Sequence, residues 1–206
     1  LEYLAVTDHS PAVAVVQGLD ADALRAQMDA IDRLNEDLDD LRVLKGIEVD
    51  ILKDGSLDLP DAVLADLDLC LCALHTALDL DEETQTERVL RALDNPHVHV
   101  LAHPTGRRIN ERPPIEIDLD RVMEAAADRG CVLELNAQPE RLDLSDVHCR
   151  RAKELGLPLV IGADAHSTGG LDVLRYGVDQ ARRGWLEADD VLNTKPWADI
   201  APVFDR

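Results

Sequence analysis

The stretch LCLCALH (residues 69–75) is an apolar, strand-forming run that ends in a histidine, and the same plan occurs six times along the chain. Each run ends in residues of the types that bind metals: Asp8 and His9, Glu48, His75, His103, Glu134 and Asn136, and Asp164 and His166. Residues just past the carboxyl ends of parallel strands converge on one rim of an α/β fold. Imidazoles and carboxylates gathered there are the ligands of hydrolytic metal clusters and suit Zn²⁺, Mn²⁺ or Fe. The sequence therefore predicts a metal centre on such a rim.

The order of apolar and amphipathic segments predicts one α/β domain over residues 1–206. Strands are expected near residues 2–6, 42–47, 68–74, 98–102, 131–135 and 158–162. Helices are expected at residues 20–40, 83–94, 118–129 and 145–155, followed by helical segments at 170–182 and 187–193. This alternation favours parallel strands with right-handed crossovers. An open doubly wound sheet is the alternative, but ligands from six strand ends converge more naturally on a barrel rim, although a closed barrel has about eight strands.

The charge balance is strongly acidic, with 42 acidic and 21 basic residues and a formal net charge of −21. Nucleic-acid-binding proteins normally carry a basic footprint, so this balance at face value argues against such a partner. However, the acidic residues are spread over every predicted helix, which is typical of adaptation to a salt-rich cytoplasm. At molar salt the screening length falls to ~3 Å, so a uniformly acidic surface is tolerated. Under this interpretation, the acidic charge is only a weak argument against a nucleic-acid partner.

Cysteine usage and hydropathy indicate an intracellular protein. The chain has four cysteines (Cys70, Cys72, Cys131 and Cys149) without a paired framework, and we expect buried free thiols in a reducing cytosol. No apolar run reaches the length of a membrane span, and no signal peptide precedes the first predicted strand. A cytoplasmic location without a membrane partner is therefore expected.

Several polar residues are informative only in combination. A single strand-end histidine such as His9 or His103 is more often structural. Asp164 and His166 lie two residues apart, where they can address adjacent metals, and Gly162 and Ala163 are expected to let the backbone turn sharply before them. The remaining candidates are possible phosphate or substrate contacts, with loop-stabilising hydrogen bonds as the alternative: Arg107, Asn136 and Arg141.

Six segments together resemble the PHP (polymerase and histidinol phosphatase) superfamily: TDHS, GIEVDI, the strand end at His75, AHPTGR, LELNAQPERLDL and IGADAHS. The sequence is most similar to the PHP domain at the C-terminus of bacterial and archaeal family X DNA polymerases. That group also ends in a segment like RYGVDQARRGWLEADDVLNT, found here at residues 175–194. The resemblance covers nearly the whole chain.

The resemblance implies a distorted seven-stranded, TIM-like (β/α) barrel that binds two to three divalent metals. Glu48, His75 and His103 match the ligands of one metal, and Glu48 bridges to a second metal that Asp164 also binds. His9 and His166 match ligands of a third, and Glu48 and Asp164 are the predicted catalytic residues. The family's opening H-x-H motif would lie upstream of Leu1, so the first βα unit is expected to be missing and only the Glu48, His75 and His103 site to be complete.

Three functions follow from this resemblance. The first is a metal-dependent phosphoesterase, specifically a 3′–5′ exonuclease or 3′-end-processing domain acting on DNA, with a polymerase domain upstream in the full-length chain. The second is a small-molecule phosphatase of the histidinol-phosphate type, which acts on a phosphomonoester. The third is a non-catalytic, metal-stabilised scaffold.

Overall fold

The computed structural model describes residues 1–13 and 17–205, which form six strands and seven α-helices. The strands are β1 (Tyr3–Val6), β2 (Arg42–Asp50), β3 (Leu69–Ala73), β4 (Val100–Leu101), β5 (Val132–Asn136) and β6 (Leu159–Gly162). The helices are α1 (Ala21–Glu36), α2 (Asp61–Leu64), α3 (Glu82–Leu93), α4 (Leu119–Arg129), α5 (Asp146–Glu154), α6 (Leu174–Arg183) and α7 (Trp197–Ile200). All six predicted strands are confirmed.

The strands form one parallel sheet in the order β1-β2-β3-β4-β5-β6. This sequential order is that of a singly wound barrel, whereas a doubly wound sheet reverses its strand order at a switch point. Side chains from all six strands line one cavity of about 620 Å³, so the sheet curls around that cavity as a half-barrel. The alternative of a doubly wound sheet is therefore wrong, and the seventh strand stays a prediction.

Two apolar layers hold the sheet. On its convex side, helices α1 to α6 bury a large core that includes Leu24, Leu93 and Met123. On its concave side, Ile200 and Phe204 from the C-terminal segment pack against strand residues of β4 and β5, including Val100 and Val132. The C-terminal segment thereby covers the inner face of the sheet below the rim where the predicted ligands lie.

Helices α1, α3, α4 and α5 begin where polar side chains satisfy the first free backbone N–H groups. Asp20 accepts hydrogen bonds from the backbone of Asp22 and Ala23 at the start of α1, and Asp81, Asp118 and Ser145 cap α3, α4 and α5 in the same way. Helix α4 ends at Gly130 in the left-handed conformation, with φ of 69°. The four N-terminal caps fix the points at which the loops before α1, α3, α4 and α5 pass into a helix.

The segment after α6 departs from the prediction of a helix at 187–193. It forms two short 3-10 turns, Ala188–Asp190 and Leu192–Thr194, and Val191 pairs with Leu159 at the outer edge of β6. The Asn193 side chain accepts from the Ile161 N–H at 3.0 Å and donates to the Ile161 carbonyl at 2.9 Å. The segment does not form a helix because its hydrogen bonds satisfy the backbone N–H and C=O groups at the open edge of β6.

All four cysteines are buried thiols outside any disulfide, as predicted. Within residues 1–13 and 17–205, every helix is too short or too polar to cross a membrane.

Candidate metal centre

Glu48, near the end of β2, is the centre of a cluster of imidazoles on the rim. Its Oε1 lies 2.9 Å from Nε2 of His103 and 3.4 Å from Nε2 of His75, while its Oε2 lies 3.6 Å from Nδ1 of His9. Burial raises the pKa of Glu48, but hydrogen bonds from His103 and His75 outweigh burial and hold that pKa well below its usual value. Glu48 is therefore an ionised carboxylate shared by histidines from three neighbouring strand ends.

The donor atoms of this cluster fit a divalent cation. The ligand atoms of His9, Glu48 and His75 all lie within 4.8 Å of one another. The ring centroid of His75 is 5.1 Å from that of His9 and 5.2 Å from that of His103. Among the described residues, the buried Nδ1 atoms of His9 and His103 have no hydrogen-bond partner. Buried polar atoms rarely lack partners. Nδ1 of His9 lies 3.6 Å from Oε2 of Glu48 and is placed as a ligand atom would be, whereas His103 faces Glu48 with its other ring nitrogen, Nε2.

Asp164 and His166, after β6, lie on the same rim. The ring of His166 is 5.9 Å from that of His9, and its Nδ1 is 3.7 Å from Oδ1 of Asp164. Both Asp164 and His103 have left-handed backbones, with φ of 47° and 28°. Such conformations are unfavourable for non-glycine residues and tend to occur at functional sites. The structure thus brings all six predicted metal ligands to one rim.

Glu134, inside β5, joins this cluster. The strand-end pattern singled it out as a residue of a metal-binding type, but the family resemblance gave it no ligand role. Its Oε2 accepts a hydrogen bond from the backbone N–H of His103 at 2.7 Å and from the Asn136 amide at 3.3 Å. Burial raises the pKa of Glu134 to about 7, and the charges of Glu48 and Asp164 add to that effect. Glu134 and Asn136 point to the same face of one strand, and this spacing was the available signal in the sequence.

Asp50 is a residue that the sequence reasoning missed. Its side chain is fully buried, and its Oδ1 lies 3.0 Å from Nδ1 of His75. Burial lowers the pKa of His75, but the contacts with Asp50 and Glu48 outweigh it and raise that pKa to about 9. Asp50 follows Glu48 by two residues in β2 and therefore points to the same face of the sheet.

The three predicted substrate contacts have different surroundings. Asn136 donates to Oδ2 of Asp164 at 3.1 Å, and the half-buried Arg141 has its Nε 3.5 Å from the same oxygen. Arg107 donates from Nε to the Arg141 carbonyl at 2.8 Å and from Nη2 to the Leu142 carbonyl. Asn136 and Arg141 therefore lie at the centre, whereas Arg107 braces the loop that carries Arg141. Their roles toward a substrate stay predictions.

Known proteins share this sequence over most of its length. The chain is 43% identical over 205 residues to the DNA polymerase/3′-5′ exonuclease PolX of Bacillus subtilis (strain 168), covering 100% of this chain and 36% of that protein. It is 31% identical over 215 residues to a probable phosphatase of Shewanella sp. (strain ANA-3), covering 96% and 77%. It is 28% identical over 204 residues to a probable phosphatase of Thermoanaerobacter sp. (strain X514), covering 94% and 78%. No protein-family model matches the chain.

The matched lengths differ between these relatives, since the chain spans little more than a third of PolX and about three quarters of the phosphatases. The similarity covers every strand end that carries a predicted ligand. On these grounds the chain belongs to the PHP superfamily and is similar to the PHP part of family X DNA polymerases.

Proposed function

We propose that this chain is a metal-dependent phosphoesterase that acts as a 3′–5′ exonuclease or 3′-end-processing domain on DNA. The observation that carries the proposal is the position of Glu48, one buried carboxylate within 3.6 Å of three histidines from separate strand ends. A hydrolase of phosphate esters needs such a set of neutral and anionic donors to gather divalent cations. Similarity to a protein named as a polymerase and exonuclease supports DNA as the substrate and a polymerase domain upstream.

The ligand set divides naturally into overlapping sites. Glu48, His75 and His103 would hold one cation, Glu48 and Asp164 a second, and His9 and His166 a third. Zn²⁺, Mn²⁺ and Fe all accept these nitrogen and oxygen donors. When bound, such cations lower the pKa of water toward ~7 and neutralise charge on phosphoryl oxygens.

The neighbouring polar side chains would orient the substrate. Arg141 lies 3.5 Å from Asp164, so its guanidinium borders the position where a phosphate would meet the cluster. Guanidinium groups bind phosphate oxygens with two parallel hydrogen bonds, which fixes orientation as well as charge. Asn136 donates to Asp164 and would keep that carboxylate aimed at the cluster.

A small-molecule phosphatase is the second candidate. The relatives named probable phosphatases are matched over 77% and 78% of their length, a much larger share than for PolX. This observation favours a domain that acts alone on a phosphomonoester. The two candidate functions use the same metal centre and differ only in which substrates the surrounding loops allow to reach it.

One comparison of substrates separates these functions. The protein, loaded with Mn²⁺ or Zn²⁺, is given a 5′-labelled oligonucleotide and, separately, p-nitrophenyl phosphate and histidinol phosphate. We expect shortening of the oligonucleotide, its loss in His103→Ala, and its retention in His97→Ala, because His97 precedes β4 at the opposite end of the sheet. Turnover of the phosphomonoesters alone would support the small-molecule phosphatase. Tight metal binding without any turnover would support the scaffold and contradict both enzymatic proposals.

A further inference from the structure

We infer that Asp50 is a positioning residue for His75. Its buried carboxylate fixes the imidazole in the tautomer with the proton on Nδ1, so that Nε2 faces Glu48 and is free to bind a cation. This inference rests on the proposed metal-dependent function. It assigns to Asp50 a role that does not require contact with the cation or with a substrate.

The contacts of Asp50 fix both the backbone and the ring of His75. Oδ1 accepts a hydrogen bond from the backbone N–H of His75 at 3.0 Å and lies 3.0 Å from the ring Nδ1. Oδ2 accepts from the Thr76 hydroxyl at 3.2 Å. Asp50 is 0% exposed, so water cannot replace these contacts. One carboxylate therefore determines where the loop after β3 begins and how its first side chain is turned.

The chemistry of a carboxylate selects the tautomer. An ionised carboxylate only accepts hydrogen bonds, so the nitrogen beside it must carry the proton. Both ring nitrogens of His75 face a carboxylate, but Nδ1 lies 3.0 Å from Oδ1 of Asp50, whereas Nε2 lies 3.4 Å from Oε1 of Glu48. The shorter contact favours the proton on Nδ1, so in the neutral ring the lone pair belongs to Nε2. Carboxylates that hold the remote nitrogen of a metal-binding histidine in this way increase its basicity and strengthen metal binding.

Asp50 is itself held in place from its backbone side. Its N–H donates to the hydroxyl oxygen of Ser10 at 2.8 Å and to Oδ1 of Asp58 at 3.1 Å. Ser10 is fully buried and immediately follows His9. The carboxylate that orients His75 is thus anchored to the loop that carries another predicted ligand.

Arg88 on α3 connects the loops that follow β2 and β3. Its buried guanidinium donates to the Leu52 carbonyl at 2.8 Å and to the Thr76 carbonyl at 2.9 Å. These carbonyls lie two residues after Asp50 and one residue after His75. The loops after β2 and β3 are therefore joined by side chains, which keeps Asp50 and His75 at a fixed separation.

This arrangement distinguishes His75 from the other histidines around Glu48. Within the described part of the chain, the Nδ1 atoms of His9 and His103 have no hydrogen-bond partner, whereas Nδ1 of His75 faces a carboxylate. We therefore expect His75 to be the imidazole whose affinity for a cation depends on a neighbouring side chain.

The first test is the tautomer of His75 in the metal-free wild-type protein, read from the ¹⁵N shifts of its ring nitrogens at a pH where the ring is neutral. We expect the Nδ1–H form. An Nε2–H ring would overturn the inference, and this measurement requires no variant to fold and no cation to bind.

The second test is Zn²⁺ affinity, measured by competition with a chromophoric chelator at a pH where the His75 ring is neutral, so that no proton on this ring competes with the cation. Asp50→Asn keeps the size of the side chain but removes its charge, and we expect binding about 10- to 100-fold weaker together with a mixed tautomer population. Thr76→Val is the matched control, because it removes the other side-chain contact of Asp50 and leaves Nδ1 of His75 untouched. Unchanged affinity in Asp50→Asn would contradict the inference. Failure of the wild type to bind Zn²⁺ would instead contradict the proposed function, while the tautomer would still decide the role of Asp50.

Discussion

Glu134 and Gly162 fit together across strands β5 and β6, because Oε1 of Glu134 fills the space that a Cβ at position 162 would occupy. The other carboxylate oxygen of Glu134 accepts the backbone N–H of His103 at 2.7 Å. A side chain at position 162 would therefore displace the group that holds a predicted metal ligand in its left-handed conformation. Gly162 serves to make room for a buried carboxylate.

We expect Gly162→Ala to lower the free energy of unfolding by about 1–3 kcal/mol, since the added methyl displaces the Glu134 carboxylate and leaves the buried N–H of His103 without its partner. Urea unfolding of the metal-free protein measures the effect. Gly169→Ala is the matched control, because nothing lies within 4 Å of a Cβ built at that position and its effect should stay within about 0.5 kcal/mol. Equal effects of the two substitutions would contradict the assigned role of Gly162.

The raised pKa of Glu134 predicts a specific dependence of folding stability on pH. Its pKa is about 7 in the folded chain against 4.5 as the ordinary value, because burial disfavours the charged form. Between these two values the folded state holds a proton that the unfolded state has lost, so stability falls as pH rises. The slope is at most about 1.4 kcal/mol per pH unit for this one group.

Glu134→Gln tests this dependence because the amide cannot ionise. Unfolding free energies of the wild type and the variant, measured in the presence of a chelator across this pH range, should converge at the acid end and diverge toward neutral pH. Parallel curves for the two proteins would show that Glu134 does not titrate as described.

His75 predicts that metal binding releases a proton. In the metal-free protein its pKa of about 9 leaves the ring protonated near neutral pH, whereas coordination through Nε2 requires the neutral ring. Burial lowers the pKa of His9, and the pKa of Glu48 is held well below its usual value, so neither residue contributes a proton. Metal affinity should therefore rise with pH until His75 is neutral.

Calorimetric titration with Zn²⁺ in two buffers of different ionisation enthalpy counts this proton. We expect release of about one proton from His75 per bound cation near neutral pH. Heats that do not depend on the buffer would contradict the protonated state of His75.

The acidic surface predicts stabilisation by salt. The formal net charge of −21 is carried by exposed side chains, such as Asp22 and Glu187, at 98% and 83% side-chain exposure. Raising KCl from ~0.1 M to ~1 M shortens the screening length from ~10 Å to ~3 Å and weakens repulsion between these charges. The thermal unfolding midpoint should therefore rise over this range. A constant or falling midpoint would contradict the interpretation as adaptation to salt.

Much of the fold could be predicted because the strands are apolar runs separated by amphipathic helices. The segment 187–193 could not, because its conformation depends on a contact distant in sequence: Asn193 satisfies the free N–H and carbonyl of Ile161 at the sheet edge. Helices α2 and α7 have four residues each, too few to produce a helical period. The local pattern of apolar and polar residues identified the strands and the longer helices. The conformation of segment 187–193 instead depends on tertiary hydrogen bonds.

Those residues of the candidate centre that lie at the ends of strands could be predicted from the sequence. The sequence reasoning missed Asp50, because the residue lies two positions beyond the predicted ligand Glu48 in the same strand. It treated Gly162 as a turn residue, because the need for space beside Glu134 exists only once β5 and β6 are neighbours. Contacts between neighbouring strands, and not spacing along one strand, define these two roles.

Bound metal per chain, measured by elemental mass spectrometry on folded protein, tests the central claim most directly. We expect at least about one tightly held divalent cation in the wild type, because Glu48 gathers three imidazoles around a single carboxylate. Glu48→Gln should lose this metal, while His97→Ala should keep it. Equal metal content in the wild type and in Glu48→Gln, or a folded wild type without metal, would contradict the assignment of this rim as a metal centre.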